Sequence, residues 1–519
     1  MTIQERPRRP RKKGVVLNNR MLLMLTGILA VVLVVLLVVV GSIGQDSPDG
    51  ESNALLSTGD GTTDATDTTG QTDTTETTVA TNPTQTSAPT APPTTAPARP
   101  VTPSGGKYIN VGSGYIAEVI QNNVETFDGK TTDDYSRVTN NYLPKGTVDY
   151  CDRDTLVVSE NLSYVVLRSG HRVYAKKKIY PPVQKVPEVK QYEGTLPDHN
   201  EIGVVSLSTQ GHHTILTLDC LWKAPFYFDV APQNYSNPKG GSDRSYSVTS
   251  NTATYVDITF CYASVFTGNV SIPSDHPLFK SAELIENESD YTLRLHLRKK
   301  GGFYGWHAYY NDQGQLCFQF LNPTKVTTAD NRYGANLTGA VILVDVGHGG
   351  DDGGAVDKDK QYDEAELNMR LAQALKTELE SMGATVIFNR TGDTNLHVNA
   401  RQENLTQTSP DICIAIHQNS YNSASVSGFD SMYYTPYSKL LAQRIAEHTK
   451  ETGVYTKSLF KWSVNYFMMR QTVCPVVLTE NGYISNPTDL AGMVNPETIQ
   501  LKAQAIAQGT ADYFLEINQ

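Results

Sequence analysis

Cysteine and tryptophan are scarce in this 519-residue chain, which contains six cysteines and three tryptophans. The cysteines are far apart and form no CxxC pair, so neither a zinc ribbon nor a dense disulfide scaffold is expected. Buried free thiols are the favoured interpretation, and one or two disulfides within residues 106–335 are the alternative. The six cysteines are Cys151, Cys220, Cys261, Cys317, Cys413 and Cys474.

An excess of basic charge is also absent. The formal net charge is -11 and the isoelectric point is near 5.5. A general nucleic-acid binder would usually carry a basic surface, so no nucleic-acid partner is expected. The chain is too long for one compact core, and its length suggests roughly two to four folded units.

A long hydrophobic run lies near the N-terminus. Residues 21–40 contain no charged side chain and match the roughly 20 residues with which a helix crosses a bilayer. We therefore predict a basic cytoplasmic tail at 1–20 and a transmembrane helix at 21–43, with the rest of the chain outside the cytoplasmic membrane at the cell wall. A cleaved signal peptide is the alternative, although the run is longer than the apolar segment of most signal peptides and no clear cleavage site follows it. The basic residues of the tail are Arg6, Arg8, Arg9, Arg11, Lys12, Lys13 and Arg20.

Two further segments differ in composition. Residues 44–105 are rich in Thr, Ser, Pro, Gly and Asp and contain few large apolar side chains, so we predict a disordered linker. From 106 to 335, short β-branched and aromatic runs such as YTLRLHLR (291–298) alternate with turn residues, which is typical of all-β structure. A Pro- and Lys-rich stretch at 181–200 suggests two β-modules within this region.

No catalytic pattern stands out between residues 106 and 335. Five aromatic side chains there could stack on sugar rings or belong to the core, and the core is the favoured interpretation. His212, His213 and Asp219 are better explained by packed or solvated histidines on a strand than by a metal site. A cell-wall or regulatory partner is expected for this region from its position alone. The aromatic residues are Phe303, Tyr304, Trp306, Tyr309 and Tyr310.

From residue 336 to the C-terminus, strand and helix patterns alternate. VILVDV (341–346) is a continuous apolar run, typical of a buried parallel strand, and residues 364–382 have apolar side chains at helical spacing. The alternation predicts an α/β domain with a mostly parallel sheet and helices on both faces. Further strands are expected at 384–389, 411–417 and 475–480, and further helices at 437–451 and 496–515.

Four side chains that can bind a metal or a proton fall at one edge of this predicted sheet. His348, His417 and Glu480 lie at or just after the ends of strands, and Glu364 begins the first helix. Ligands bind beyond the carboxyl ends of strands in such sheets, so we expect these side chains to converge. Two imidazoles and one carboxylate form a common catalytic zinc site, and a further carboxylate can act as general base. Taken singly, each residue also has an ordinary structural role as its alternative.

Five segments of this region resemble the ordered motifs of zinc-dependent N-acetylmuramoyl-L-alanine amidases of the Amidase_3 type. The resemblance covers about 340–519, with the order and spacing of that family. It implies that His348, Glu364 and His417 bind Zn²⁺ and that Glu480 is the catalytic carboxylate. It also implies cleavage of the amide that joins N-acetylmuramic acid to L-alanine in peptidoglycan. The segments are VDVGHGGDDGGAV (344–356), EAELNM (364–369), NRTGDT (389–394), IAIHQNS (414–420) and VVLTENGYISN (476–486).

The resemblance selects Glu364 rather than Glu366 as the ligand, because Glu364 lies four residues before Asn368, as in the family. The two carboxylates are two residues apart and face different ways on a helix, so only one should reach the metal. Three positions depart from the usual family motif, since Val346 and Gly353 stand where proline is common and Asn481 stands where an apolar residue is common. None of these departures removes a ligand.

Four further residues are candidates for supporting roles. Asp345 could orient His348 as a partner outside the ligand set, or it could cap the end of its strand, and both alternatives stay open. Arg390 matches a family position, as does Arg401, and both are better explained as structural ion-pair or capping residues than as catalytic ones. Asn419 is a candidate for the substrate loop.

The leading hypothesis is a bacterial, membrane-anchored peptidoglycan amidase that uses Zn²⁺. Two alternatives use the same residues differently. The first is a cell-wall-binding protein with an inactive amidase domain. The second is a zinc peptidase that acts on the stem peptides of peptidoglycan.

Overall fold

The computed structural model describes residues between 108 and 519, all of which belong to one compact unit. The predicted tail, transmembrane helix and linker lie outside the described residues. Within the described residues, no helix is long and apolar enough to cross a membrane. The described ranges are 108–112, 114–127, 138–159, 162–179, 184–185, 187–232, 235–236, 247–248, 251–359, 361–462 and 466–519.

Short strands make up the regular structure described between residues 115 and 336, which confirms the all-β prediction. The alternating stretch at 291–298 forms a strand whose side chains are buried mainly at every second position towards its end. In chain order the strands are β1 (Tyr115–Val119), β2 (Val124–Phe127), β3 (Val138–Leu143), β4 (Val148–Tyr150), β5 (Leu156–Ser159), β6 (Leu162–Val166), β7 (Arg172–Ile179), β8 (Gln184–Lys185), β9 (Val189–Glu193), β10 (Asn200–Gln210), β11 (His213–Cys220), β12 (Phe226–Ala231), β13 (Tyr235–Ser236), β14 (Ser247–Val248), β15 (Tyr255–Phe260), β16 (Ala263–Thr267), β17 (Phe279–Glu286), β18 (Tyr291–Leu297), β19 (Trp306–Tyr310), β20 (Leu316–Leu321), β21 (Thr327–Thr328) and β22 (Ala335–Asn336).

Strand pairing in the described residues divides near the Pro- and Lys-rich segment. The earlier strands form sheets of order β4-β1-β9 and β3-β2-β7-β6-β5, and the later ones form β16-β10-β11-β20-β19 and β12-β15-β18-β17. One apolar core nevertheless includes side chains from both groups. At its centre the rings of Phe228 and Trp306 stack with centroids 3.6 Å apart. Phe303 and Tyr304 are also buried, whereas Tyr309 and Tyr310 are only half-buried.

The C-terminal part is an α/β sheet. Its elements are β23 (Val341–Val346), α1 (Glu364–Ser381), β24 (Thr385–Phe388), α2 (Val398–Thr408), β25 (Ile412–Asn419), β26 (Phe429–Tyr433), α3 (Lys439–Glu451), β27 (Ser458–Trp462), β28 (Val476–Tyr483), α4 (Pro487–Val494) and α5 (Pro496–Ile517), with 3₁₀ turns at 436–438 and 468–470. The strand order is β24-β23-β25-β28-β26-β27, and only the β26–β28 pair is antiparallel in this described sheet. The prediction of a mostly parallel sheet is therefore confirmed.

Local sequence signals place the first helix. The Asp363 side chain accepts a hydrogen bond from the Glu366 backbone N–H at 2.9 Å, as an N-cap residue does. Gly383, with φ of +90°, follows the other end, where a left-handed residue commonly terminates a helix. The helix therefore begins at Glu364, which places that carboxylate at the carboxyl-end edge of the sheet.

The two faces of the sheet are covered differently. Ile342 and Val344 on β23 pack in one core with helices α1, α3 and α5. Leu343 and Cys413, on the opposite face, belong to the apolar core formed with strands β1 to β22, which we call the β-region. Helix α2 contributes Leu405 to the same core. The prediction of helices on both faces therefore needs correction, because strands cover much of the second face. Continuous apolar strands indicate that both faces are buried but not which elements bury them.

Hydrogen bonds and an ion pair connect the β-region to this sheet. The Trp306 N–H donates to the Thr472 carbonyl at 2.7 Å. Arg470 forms a buried, bidentate ion pair with Glu125, in which Nε lies 2.6 Å from Oε1 and Nη2 lies 2.8 Å from Oε2. The Tyr142 hydroxyl donates to the Arg470 carbonyl at 2.9 Å. Both parts therefore pack as one body.

The remaining cysteine and histidine predictions also have outcomes. All six cysteines are free thiols, and five of them are buried, as the favoured interpretation predicted, whereas Cys220 is half-buried. His212 Nδ1 lies 3.1 Å from Asp411 Oδ1, and His213 Nε2 lies 3.0 Å from Ser409 Oγ. The side chain of Asp219 accepts a hydrogen bond from Gln315. These histidines therefore pack against the sheet, as the favoured interpretation predicted.

The close approach at Gly305 provides a test of this packing. A Cβ atom there would lie 2.3 Å from the Val473 carbonyl oxygen, a backbone atom that cannot move aside alone. We expect Gly305→Ala to destabilise the protein by about 2–4 kcal/mol, seen as a lower midpoint of thermal unfolding of the full-length protein. Gly314→Ala is the control, because Gly314 also has a positive φ but open space around it, and should cost about 1–2 kcal/mol. Equal shifts for both variants would contradict a tight junction.

Candidate metal centre

The structure brings three of the predicted residues together at the carboxyl ends of β23 and β25. Glu364 Oε2 lies 3.2 Å from His348 Nε2, and Glu364 Oε1 lies 2.8 Å from His417 Nδ1. One ligand atom from each residue lies within 4.8 Å of the other two. Among the described residues this is the one such group with a geometry suited to a metal ion. We call it the His–Glu–His cluster.

The backbone after β23 is shaped to build this cluster. His348 has φ of +57°, a left-handed conformation that is uncommon for a residue other than glycine and is often found at functional sites. Gly347 precedes it, and a Cβ atom there would lie 2.4 Å from the imidazole of His417. Glycine at this position therefore lets the two histidines approach each other.

Hydrogen bonds and opposite charges within the His–Glu–His cluster shift the pKa values of its three side chains. Burial raises the pKa of Glu364, but hydrogen bonds and charges from both histidines outweigh it and hold that pKa well below its usual value. Burial lowers the pKa of His348, but Glu364 and Asp352 outweigh it and raise that pKa to about 9. For His417, burial is likewise outweighed by Glu364, and its pKa is raised. Two imidazoles around an ionised carboxylate supply the donor types that a divalent cation such as zinc prefers.

Glu480 lies beside the cluster at the end of β28, opposite His417 in the strand register. Its Oε2 atom is buried and has no hydrogen-bond partner among the described residues. Burial, reinforced by the nearby carboxylates of Glu364 and Asp430, raises the pKa of Glu480 to about 7. An unpartnered carboxylate oxygen with this pKa can accept and release a proton near neutral pH.

The cluster and Glu480 share one cavity of about 500 Å³. Its wall includes Asn419 and, on the other side, Tyr466 to Met468 from the segment before β28. The side-chain oxygen of Asn419 accepts a hydrogen bond from the Ser420 N–H at 2.8 Å, and its role towards substrate stays a prediction. The cavity therefore offers space for a substrate next to the proton acceptor and the cluster.

The structure decides between the two alternatives for Asp345. Its carboxylate accepts a hydrogen bond from Arg401 at 2.6 Å and another from Asn389, so it serves the end of its strand. The partner of His348 is instead Asp352, whose Oδ2 lies 3.0 Å from His348 Nδ1. Sequence reasoning missed Asp352, because it lies in an irregular glycine-rich loop where no spacing rule applies.

Two buried arginines support the loop that carries His348. Arg390 donates to the backbone carbonyls of Val346, Gly347 and Ala365 at 2.8–3.2 Å, which agrees with the structural role predicted for it. Arg401, on α2, donates to the carbonyl of His348 at 3.1 Å as well as to Asp345. These contacts agree with the structural role predicted for Arg401 from the resemblance. The helix that carries it was not predicted, because α2 has little apolar periodicity.

The chain is similar in sequence to known cell wall amidases. The Amidase_3 family, described as N-acetylmuramoyl-L-alanine amidase, matches residues 342–512. A probable cell wall amidase, LytH, of Staphylococcus aureus is 31% identical over 218 residues, which are 42% of this chain and 68% of that relative.

Solved structures of amidases are similar to about a third of the chain. The catalytic domain of the amidase CwlV from Bacillus (Paenibacillus) polymyxa var. colistinus is 27% identical and has a TM-score of 0.33, with 34% of this chain and 99% of that chain covered. An N-acetylmuramoyl-L-alanine amidase from Clostridium difficile 630 is 26% identical with a TM-score of 0.33, with 34% of this chain and 96% of that chain covered. From the identity to the staphylococcal relative and the share of it that is matched, this chain belongs to the Amidase_3 family of N-acetylmuramoyl-L-alanine amidases.

Proposed function

We propose that this protein hydrolyses the amide between N-acetylmuramic acid and L-alanine in peptidoglycan, with Zn²⁺ held by His348, Glu364 and His417. The observation that carries the proposal is the His–Glu–His cluster beside an unpartnered oxygen of Glu480. Family membership supports the bond to be cleaved, and the donor set of two nitrogens and one oxygen supports zinc.

The side chains divide the chemistry between them. Zn²⁺, when bound, supplies Lewis-acid chemistry that polarises a carbonyl and makes water more acidic. Glu480 accepts a proton from the attacking water and transfers it to the leaving nitrogen of L-alanine. Asp352 is placed to accept the Nδ1 proton of His348, which would leave Nε2 free to bind Zn²⁺.

We also propose that residues 21–43 anchor the chain in the cytoplasmic membrane, with residues 1–20 inside and the amidase outside at the cell wall. The length and composition of the apolar run and its basic flank support this topology. A flexible linker at 44–105 would have a root-mean-square span of about 45 Å and a fully extended length of at most about 200 Å. The linker would thus let an anchored enzyme reach wall material beyond the membrane surface.

Loss of a ligand should abolish metal binding. We expect Glu364→Ala in the full-length protein to lower zinc content from about one ion per chain to nearly none, together with activity, because two imidazoles alone hold zinc poorly. Inductively coupled plasma mass spectrometry measures the zinc. Glu366→Ala is the matched control, since Glu366 is exposed and pairs with Arg370. Retention of zinc by Glu364→Ala would rule out the proposed ligand set.

Removal of the general base should separate chemistry from metal binding. We expect Glu480→Gln to keep its zinc but to lose about 10²- to 10⁴-fold in the rate of release of L-alanine amino groups from purified peptidoglycan. Mass spectrometry of the products identifies the bond. An unchanged rate would contradict the role of Glu480. Products cut within the stem peptide would indicate a peptidase. Absence of activity in the zinc-loaded wild type would indicate an inactive amidase domain.

The anchor can be tested by placing charges in the apolar run. We expect the double variant Leu33→Arg and Leu36→Arg to leave the membrane fraction after alkaline extraction, because each arginine costs about 2.5–3.5 kcal/mol at the centre of a membrane helix. The control replaces both leucines with alanine and should stay in the membrane. Recovery of wild-type protein in the medium without its first 43 residues would instead indicate a cleaved signal peptide.

A further inference from the structure

A second cavity, of about 790 Å³, lies between the β-region and helix α2. We call it the junction cavity. Asn123, Tyr309 and Tyr310 line it from the β-region, and Gln402 and Thr406 line it from α2. None of these residues lines the cavity of the His–Glu–His cluster. The junction cavity is therefore a separate space, and it depends on both parts of the folded body.

Asn123 lines this cavity and has a buried, unsatisfied side-chain amide. The residue is 7% exposed, and neither its Oδ1 nor its Nδ2 has a hydrogen-bond partner among the described residues. Its backbone is well held, because the Asn123 carbonyl accepts from Gln402 Nε2 at 3.1 Å and Gln402 also bonds to Gln471 at 2.8 Å. Burying an amide without a partner costs free energy, so a buried, firmly placed and unpartnered amide indicates a site for a ligand.

The rest of the lining indicates the kind of ligand. Tyr309 and Tyr310 present half-buried rings, and Lys223 Nζ lies 4.5 Å from the centre of the Tyr310 ring. Burial lowers the pKa of His307 to about 4, so its imidazole is neutral. Further uncharged amides come from Gln121, Asn122, Gln319 and Gln407.

Amides and aromatic rings together match the surface of an N-acetylated sugar. Such a sugar presents hydroxyl and acetamido groups, which donate and accept hydrogen bonds, and an apolar ring face, which packs on tyrosine. A polyanionic ligand fits less well, because the lining lacks arginine and Glu403 offsets one of its two lysines, Lys145 and Lys223. A neutral amino sugar is therefore favoured over a phosphate-rich polymer or an acidic stem peptide.

Helix α2 relates the junction cavity to the proposed metal centre. Val398 and Arg401, three residues apart, line the cavity of the cluster, whereas Asn399 and Gln402 line the junction cavity. The two spaces thus lie on different sides of one helix, whose diameter with side chains is about 10–12 Å. A single glycan strand is long enough to occupy both.

We propose that the junction cavity binds a segment of N-acetylated amino-sugar chain, and that it is a glycan site distinct from the metal centre. That this chain is the glycan of peptidoglycan rests on the proposed function. Binding itself needs neither zinc nor catalysis, so the site can be tested even if the amidase proposal fails.

Binding of a peptide-free N-acetylglucosamine tetrasaccharide to the full-length protein tests the site, measured by isothermal titration calorimetry. We expect Asn123→Gly to weaken binding about tenfold or more, because the ligand loses its buried amide partner. Thermal stability should stay the same or rise, since glycine accepts the φ of +52° at this position and the orphaned amide is removed. Tyr309→Ala should also weaken binding, whereas Tyr192→Ala, at a tyrosine outside the cavity, is the control.

Two results would overturn the proposal. The first is no binding of the tetrasaccharide by the wild type at millimolar concentration, including the case in which a stem peptide binds instead. The second is tetrasaccharide binding that Asn123→Gly and Tyr309→Ala leave unchanged. If the amidase activity is present, Asn123→Gly should lower kcat/KM on polymeric peptidoglycan and leave kcat/KM on a single muramoyl-peptide unchanged. Equal losses on both substrates would also contradict a separate glycan site.

Discussion

A parallel sheet has to be covered on both faces, and here the second face is covered largely by a different region of the chain. Leu343 and Cys413 pack into the core of the β-region, while Ile342 and Val344 pack against helices. Fully burying one large aliphatic side chain stabilises a fold by about 1.5–3 kcal/mol, so an uncovered face would be costly at every position. Residues 340–519 alone would expose this face, and for that reason the α/β part and the β-region are best regarded as one folded body.

The same packing supports the candidate metal centre. Arg401 on α2 reaches both Asp345 and the carbonyl of His348, and α2 is in turn held by Gln402 against Asn123 in the β-region. A non-glycine residue in the left-handed conformation, as at His348, costs about 1–3 kcal/mol and persists only where its surroundings hold it. The β-region therefore contributes to the geometry of the cluster, although it supplies none of the cluster's residues.

Sequence reasoning succeeded where a pattern was long or a motif was ordered. The continuous run of β23 and the periodic α1 were predicted closely, and convergence at one edge of the sheet brought His348, Glu364 and His417 together as expected. It failed where the physical signal is short or comes from tertiary contact. Asp352 lies in an irregular loop, and Gln402 lies on α2, where Leu405 is the single large buried apolar residue, so neither periodicity nor propensity identifies them. Arg401, on the same helix, was predicted as a structural residue only from its match to a family position.

The polar character of α2 follows from its position between two cavities. A helix that buries an arginine and a glutamine gains little from apolar burial, so its placement depends on hydrogen bonds to its neighbours. Some of those neighbours line the junction cavity and others carry His348. A glycan bound in the junction cavity would add contacts to this helix and so favour the arrangement that also supports His348. By thermodynamic linkage, substrate bound at the metal centre would then favour glycan binding to the same degree. Since wall glycan is a long repeating polymer, such coupling would direct an anchored amidase to intact strands rather than to released fragments.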